Sequence, residues 1–311
     1  MLTQTDNLPL EQITFLVPCH NEELTLSTVI SGIRAVSPHS RIIVGDNNST
    51  DGTRKIAVDL NVDVVIENFK GKGLVVRKLL ENVDTQYCCI VDGDATYDLS
   101  CVPQLFIAML TDNIDMVVGS RVYANPKSER RGHRLGNKFF VKVFNLLFSS
   151  NYVDVLSGFR ILNRRFISSF PINTKGFEIE IEMNAHAKFM NFSYLSMPIN
   201  YFKRPEGSQS KLNTIRDGIT ILLKMMTALR SFRPFRYFTV TGMPGLIIAL
   251  FLFFRAGLSF LETGLVPYLP SLIVGSCILI MIFSGLLAGL ILESISEVKL
   301  SVLNKFISNV K

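Results

Sequence analysis

Three stretches decide the fold: ITFLVPCHNEE (Ile13 to Glu23), RIIVGDNNSTDG (Arg41 to Gly52) and YCCIVDGDATYD (Tyr87 to Asp98). Each opens as a short run of apolar, mostly β-branched residues and then breaks into polar ones. Such runs are strand signals, and the polar breaks mark strand ends. Two more runs, VDVVIE (Val62 to Glu67) and IDMVV (Ile114 to Val118), continue the series with helix-length amphipathic segments between them. This βαβ rhythm predicts an α/β domain with a Rossmann-like, mostly parallel sheet. Ligands then gather beyond the carboxyl ends of the strands, where the polar breaks lie.

Downstream the composition changes. Apolar residues make up 48% of the chain and the mean hydropathy is +0.32, with the excess after position 237. Tyr237 to Phe254 and Leu272 to Leu292 run for eighteen and twenty-one residues without a charge. Each is long enough for a bilayer core of about 30 Å. The expected organisation is a catalytic domain over residues 1–208, interfacial amphipathic helices over 209–236, and a two-helix transmembrane hairpin with a short tail over 237–311. The segment KLNTIRDGITILLKMMTALRSF (Lys211 to Phe232) puts Leu212, Ile215, Ile219, Leu222, Leu223 and Met226 at helical spacing, as an interfacial helix requires. Between Lys203 and Arg236 eight basic residues face two acids, and the loop between the spans carries only Arg255 and Glu262. The positive-inside rule therefore places the catalytic domain and both termini in the cytoplasm.

The net charge of +6 is read with the same placement: the basic run abuts the first span, which favours an anionic membrane surface over nucleic acid. The five cysteines have no zinc or disulfide spacing, and a reducing compartment is expected. The first residues carry acids and no apolar core, so no cleavable signal peptide is expected.

The strongest chemical signal is Asp92-Gly93-Asp94, two carboxylates directly after a strand, able to offer hard oxygens to one cation. The other strand ends carry Pro18-Cys19-His20-Asn21-Glu22 and Asp46-Asn47-Asn48-Ser49-Thr50-Asp51, whose acceptors and donors suit a nucleobase and ribose. Taken singly, these clusters also read as a helix cap at Asn21 and a capped turn at Ser49 to Asp51. The acids Glu178, Glu180 and Glu182 alternate in GFEIEIEM. As a strand they would share a face and one could meet sugar hydroxyls; as a helix they would form a solvated stripe. The four histidines show no metal spacing, and His20 and His133 read as surface or supporting residues.

Together with GKG (Gly71 to Gly73), GSR (Gly119 to Arg121), DVLSGFR (Asp154 to Arg160) and RPEGSQSK (Arg204 to Lys211), these motifs resemble the family 2 glycosyltransferases of GT-A fold. The resemblance is closer to the polyprenyl-phosphate sugar transferases, which include dolichol-phosphate mannose synthases and bacterial undecaprenyl-phosphate glucosyltransferases. It implies that Pro18, Asn21, Glu22, Asp46, Asn47 and Gly93 line the nucleotide-sugar pocket, with Lys72 near base and ribose. It implies that Asp92 and Asp94 hold Mg²⁺ or Mn²⁺, and that Arg121, Arg134, Arg204 and Lys211 bind phosphate groups. Asp154 falls near the reaction centre and is expected to orient sugar or acceptor. Many relatives carry two adjacent aspartates where this chain has Asp46-Asn47.

The implied activity is inverting, metal-dependent transfer of a hexose from a nucleotide diphosphate-sugar to an undecaprenyl or dolichyl phosphate, in cell-envelope glycan biosynthesis. UDP-glucose is the first donor; GDP-mannose, a UDP-N-acetylhexosamine, or an inactive nucleotide- or lipid-binding scaffold are the alternatives. A processive polysaccharide synthase is disfavoured, because its tryptophan-containing acceptor motif is missing from a chain with no tryptophan. Expected partners are donor, lipid acceptor and membrane, with a flippase and a downstream glycosyltransferase beyond them. Gly275, Ser276, Gly285, Ala288 and Gly289 would permit the close helix packing of a homo-oligomer.

Overall fold

The computed structural model describes residues 8–123, 131–171, 179–205, 214–266 and 268–308. They form two compact units, one of residues Met225–Phe306 and one of the remainder. In chain order the elements are β1 (Ile13–Cys19), α1 (Leu26–Val36), β2 (Ile42–Asp46), α2 (Thr53–Asp59), β3 (Asp63–Ile66), α3 (Lys72–Glu81), β4 (Tyr87–Ile90), α4 (Val102–Thr111), β5 (Met116–Tyr123) and α5 (Arg131–Phe148). There follow β6 (Arg160–Asn163), α6 (Arg164–Ser169), α7 (Ile179–Phe189), β7 (Tyr194–Tyr201), α8 (Thr214–Phe232), α9 (Pro234–Thr263) and α10 (Leu269–Ser308).

The seven strands form one sheet in the order β3-β2-β1-β4-β6-β5-β7. β6 is antiparallel to both of its neighbours, and the other pairings are parallel. The predicted GT-A-like, mostly parallel sheet is therefore present, with β6 as its exception. All seven residues of β1 are buried, as befits a central strand covered on both faces. On one face Leu26, Val29, Ile30 and Ile33 of α1, spaced by three and four, join the core of Phe15 and Val17. On the other, α3 comes so close that a Cβ on Gly45 would lie 2.5 Å from Val75 Cγ2 and 2.8 Å from Leu79 Cδ1. That glycine lets α3 sit hard against β2 and so fixes where its first residue, Lys72, begins.

The alternating EIEIEM segment is helical from Ile179. Neither sequence alternative holds for Glu180, which is buried. Successive alternate residues on a helix turn through about 200°, so Glu180 and Glu182 point to different sides.

In the second unit, α9 and α10 are long and apolar enough to cross a membrane. Both extend past the charge-free windows; α9 ends where Gly264 turns left-handed (φ 67°), nine residues after Arg255. Arg255 remains helical with its guanidinium 4.3 Å from the centre of the Tyr268 ring. At the opposite end Glu293 receives the N–H of Phe235 at 3.2 Å and pairs with Arg233 at 3.5 Å. An acid there also suits the positive end of α9. A Cβ on Gly275 would meet Phe253, and one on Gly285 or Gly289 would meet Phe238. The close packing these glycines permit is thus made within the chain.

Candidate active site

The sheet register assembles the site. Cys19 at the end of β1 pairs with Asp46 at the end of β2, and the N–H of Val91 beyond β4 donates to Leu16 O at 3.0 Å. The three polar breaks therefore emerge side by side. The first two are stitched together: Asn21, left-handed at φ 54°, receives the Thr50 N–H on its side-chain oxygen at 2.8 Å and donates its own N–H to Ser49 Oγ at 3.1 Å. The Glu22 N–H reaches Thr53 Oγ1 at 2.8 Å, and Glu23 Oε2 accepts from Gly52 N at 2.7 Å. Asn21 is a bridge between loops and not the cap of α1.

Asp46 is fully buried. Burial alone would raise its carboxyl, but bonds from Ser49 and from Arg54, at 2.7 Å, hold it below the usual carboxylate range. Asn47 donates to Phe69 O at 2.6 Å and accepts from Gly71 N at 2.8 Å. Its amide ties down the chain entering α3, where Gly71 has φ 148° and only glycine is comfortable.

Asp92 and Asp94 are each met by a cation. Lys72 Nζ lies 2.5 Å from Asp92 Oδ1 and 2.7 Å from Glu180 Oε1. Arg204 lies 2.6 Å from Asp94 Oδ2 and 3.8 Å from Glu22 Oε1. Burial works against the charge on Lys72, but Asp92 and Glu180 outweigh it and hold the ammonium protonated. Burial and the neighbouring Asp92 push the Asp94 carboxyl up, against Arg204 and the Thr96 hydroxyl. Arg204 arrives there because the loop after β4 is laced to β7: Asp98 N donates to Asn200 O at 3.2 Å and Phe202 N to Thr96 O at 2.7 Å.

Among the described residues no cluster of three or more His, Cys, Asp or Glu side chains suits a metal. Asp92 and Asp94 fit a divalent cation that takes its remaining oxygens from a diphosphate and water, the usual habit of Mg²⁺, once Lys72 and Arg204 draw back from them.

Arg121, at the end of β5, grips Asp154 with both arms, Nε to Oδ2 at 2.7 Å and Nη2 to Oδ1 at 2.9 Å. Leu156 N donates to the same carboxylate at 3.1 Å. Burial would raise the Asp154 carboxyl, yet Arg121 overrides it and keeps it low. The guanidinium also lies 5.7 Å from the centre of the Tyr201 ring. Tyr97 accepts the Gly158 N–H at 2.9 Å, which brings the SGFR turn against Asp92. A Cβ on Gly158 would strike the Asp92 carboxylate, its Cγ at 2.9 Å. Gly158→Ala is therefore expected to lower activity roughly a hundredfold by displacing that carboxylate, a scale typical of misplaced catalytic groups, while the melting temperature stays near wild type.

The structure brings together Glu22, Lys72, Asp92, Gly93, Asp94 and Arg204, with Pro18 O 3.6 Å from where a Gly93 Cβ would sit, and holds Asn21 next to Glu22 on Ser49 and Thr50. Asp46 and Asn47 shape the adjoining wall. Lys72, expected near base and ribose, pairs with Asp92 and Glu180. The side chains of His133 and Arg134, and the residues Lys211 and Glu178, lie outside what the structure describes. Sequence reasoning missed Arg54, Tyr97, Gly158 and the pairing of Glu180. Gly158, Tyr97 and Glu180 had a local signal, their place inside motifs already singled out.

A family model described as Glycosyl transferase family 2 matches residues 14–170. The chain is 32% identical over 234 residues to the glycosyltransferase AglJ of Haloferax volcanii, over 75% of this chain and 77% of that protein. It is 22% identical to a dolichyl-phosphate hexose transferase of the same organism, over 68% of this chain and 91% of the other. Among solved structures, glucosyl-3-phosphoglycerate synthase from Mycobacterium tuberculosis with Mn²⁺, UDP and glucosyl-3-phosphoglycerate matches with a TM-score of 0.56. That match has 21% identity and covers 70% of this chain and 78% of the other, a likeness of fold.

Proposed function

The chain belongs to glycosyl transferase family 2, and from that premise we propose that it moves a hexose from a nucleoside diphosphate-sugar, UDP-glucose first, to a polyprenyl phosphate at the cytoplasmic face of a membrane. The observation that carries this reading is the strand-end cluster in which Asp92 and Asp94 face Lys72 and Arg204. The two apolar helices and the dolichyl-phosphate relative support the lipid acceptor.

In this reading Asn21, Glu22 and Asp46 wall the nucleotide, Asp46 held rigid by Arg54. A divalent cation on Asp92 and Asp94 would neutralise diphosphate oxygens and favour departure of the nucleotide. Arg121, fixed by Asp154, and Arg204 present planar cations to phosphate groups. An acceptor phosphate is already anionic near neutral pH, so no general base is needed. Its oxygen bonds to the anomeric carbon as the bond from that carbon to the diphosphate breaks. The electron pair leaves with the nucleotide, no proton moves, and the configuration inverts. Asp154, with its carboxylate committed to Arg121 and Leu156, serves as the support of Arg121 and not as a base.

A donor panel of UDP-glucose, GDP-mannose and UDP-N-acetylglucosamine tests the sugar: one donor should give lipid-phase label, and label from none would count against the reading. Removing residues 237–311 should release the catalytic domain from sedimented membranes. A truncated chain that still pellets fully would assign anchoring to α8, where Ile219 and Leu223 are exposed.

A further inference from the structure

We propose that Glu180 is a positioning residue for Lys72: it takes over the lysine ammonium when a divalent cation occupies Asp92, and so keeps that positive charge in the nucleotide cleft. The inference rests on the reading of Asp92 and Asp94 as metal ligands.

One ammonium is shared by two carboxylates, at 2.5 Å from Asp92 and 2.7 Å from Glu180, although Glu180 lies 108 residues away in sequence. An ammonium in contact with Asp92 and a divalent cation on the same carboxylate repel each other strongly, so the lysine must yield. Its backbone cannot, since Gly71 is held by Asn47 at 2.8 Å. The four-carbon stem can, because it rotates freely about the fixed first turn of α3.

Glu180 is the fixed end of the pair. It sits in the first turn of α7, and Asn184 one turn later clamps that helix, donating to Val155 O at 3.0 Å and accepting from Arg160 at 2.6 Å. Arg160, although near, is directed to Asn184, to Ser157 O at 3.2 Å and to Met116 Sδ at 3.3 Å. Among the described residues, Glu180 pairs with Lys72. Without Glu180, Lys72 would keep Asp92 as its partner and oppose the metal.

The test is a Mn²⁺ titration of the full-length protein in detergent, with UDP or GDP present and free ion counted by electron paramagnetic resonance. Glu180→Gln should weaken Mn²⁺ binding about tenfold, the scale of supporting residues at metal sites, and should have no effect in a Lys72→Met background. Should Glu180→Gln fail to fold, Glu180→Asp gives the same comparison, with about threefold weakening beside Lys72 and none beside Met. No effect beside Lys72, or equal weakening in both backgrounds, overturns the proposal; in the second case Glu180 acts on the metal by charge alone. Wild-type protein that binds no Mn²⁺ with either nucleotide overturns the metal reading itself, and the proposal with it.

Discussion

Asp94→Asn is expected to lower sugar transfer by a factor of about 10³ or more while the protein stays folded. A cation that stabilises the departing diphosphate is worth several kcal/mol, and each 1.4 kcal/mol or so is tenfold in rate. Asp94 is 4% exposed and lies beside Asp92, so its charge is held in place at a cost that Arg204 and Thr96 offset. Neutralising it relieves that repulsion, and Arg204 keeps its neighbour Glu22 at 3.8 Å. The expected signature is a rate near background with a melting temperature close to wild type. A variant that retains transfer would remove Asp94 from the metal site.

Asp154→Ala is expected to cost stability as well as activity, about 3–5 kcal/mol in urea unfolding, because it leaves the Arg121 guanidinium without its carboxylate. Activity falls with it, since Arg121 loses its orientation. The pH dependence has a definite sign. Arg121 depresses the Asp154 carboxyl in the folded protein, so the stabilisation is present above the ordinary carboxylate value of about 3.9 and is lost as pH falls through the lower folded value. The stability gap between wild type and Asp154→Asn should therefore be flat at neutral pH and shrink below about pH 4. A gap independent of pH would mean that the ion pair contributes nothing through its charge.

The strands β1 to β5 were legible because each is a compact apolar run ended by turn residues, and a buried parallel strand needs little more. β6 was not: it opens with Arg160 and spans four residues, and its antiparallel place between β4 and β5 is set by contacts far away in sequence. The EIEIEM alternation has the period of a strand, but Ile179 to Phe189 continues without a turn signal and buries nine of its eleven residues as a helix. Glu180 could not be placed from sequence because the cation that stabilises it sits at the start of α3. The same holds for Arg121 and Asp154, each singled out for a substrate and found holding the other. The polar strand ends, by contrast, were readable as a site, since parallel topology gathers them wherever the chain is cut into βαβ units.

The central claim is the acceptor. Full-length protein in detergent, with labelled sugar nucleotide, is offered either a short-chain polyprenyl phosphate or 3-phosphoglycerate, each with Mg²⁺ or Mn²⁺ and with chelator. The account predicts label in the organic phase with the lipid phosphate, dependent on the metal, and none on the soluble acid. Label on 3-phosphoglycerate, or lipid labelling that survives chelation, would contradict it.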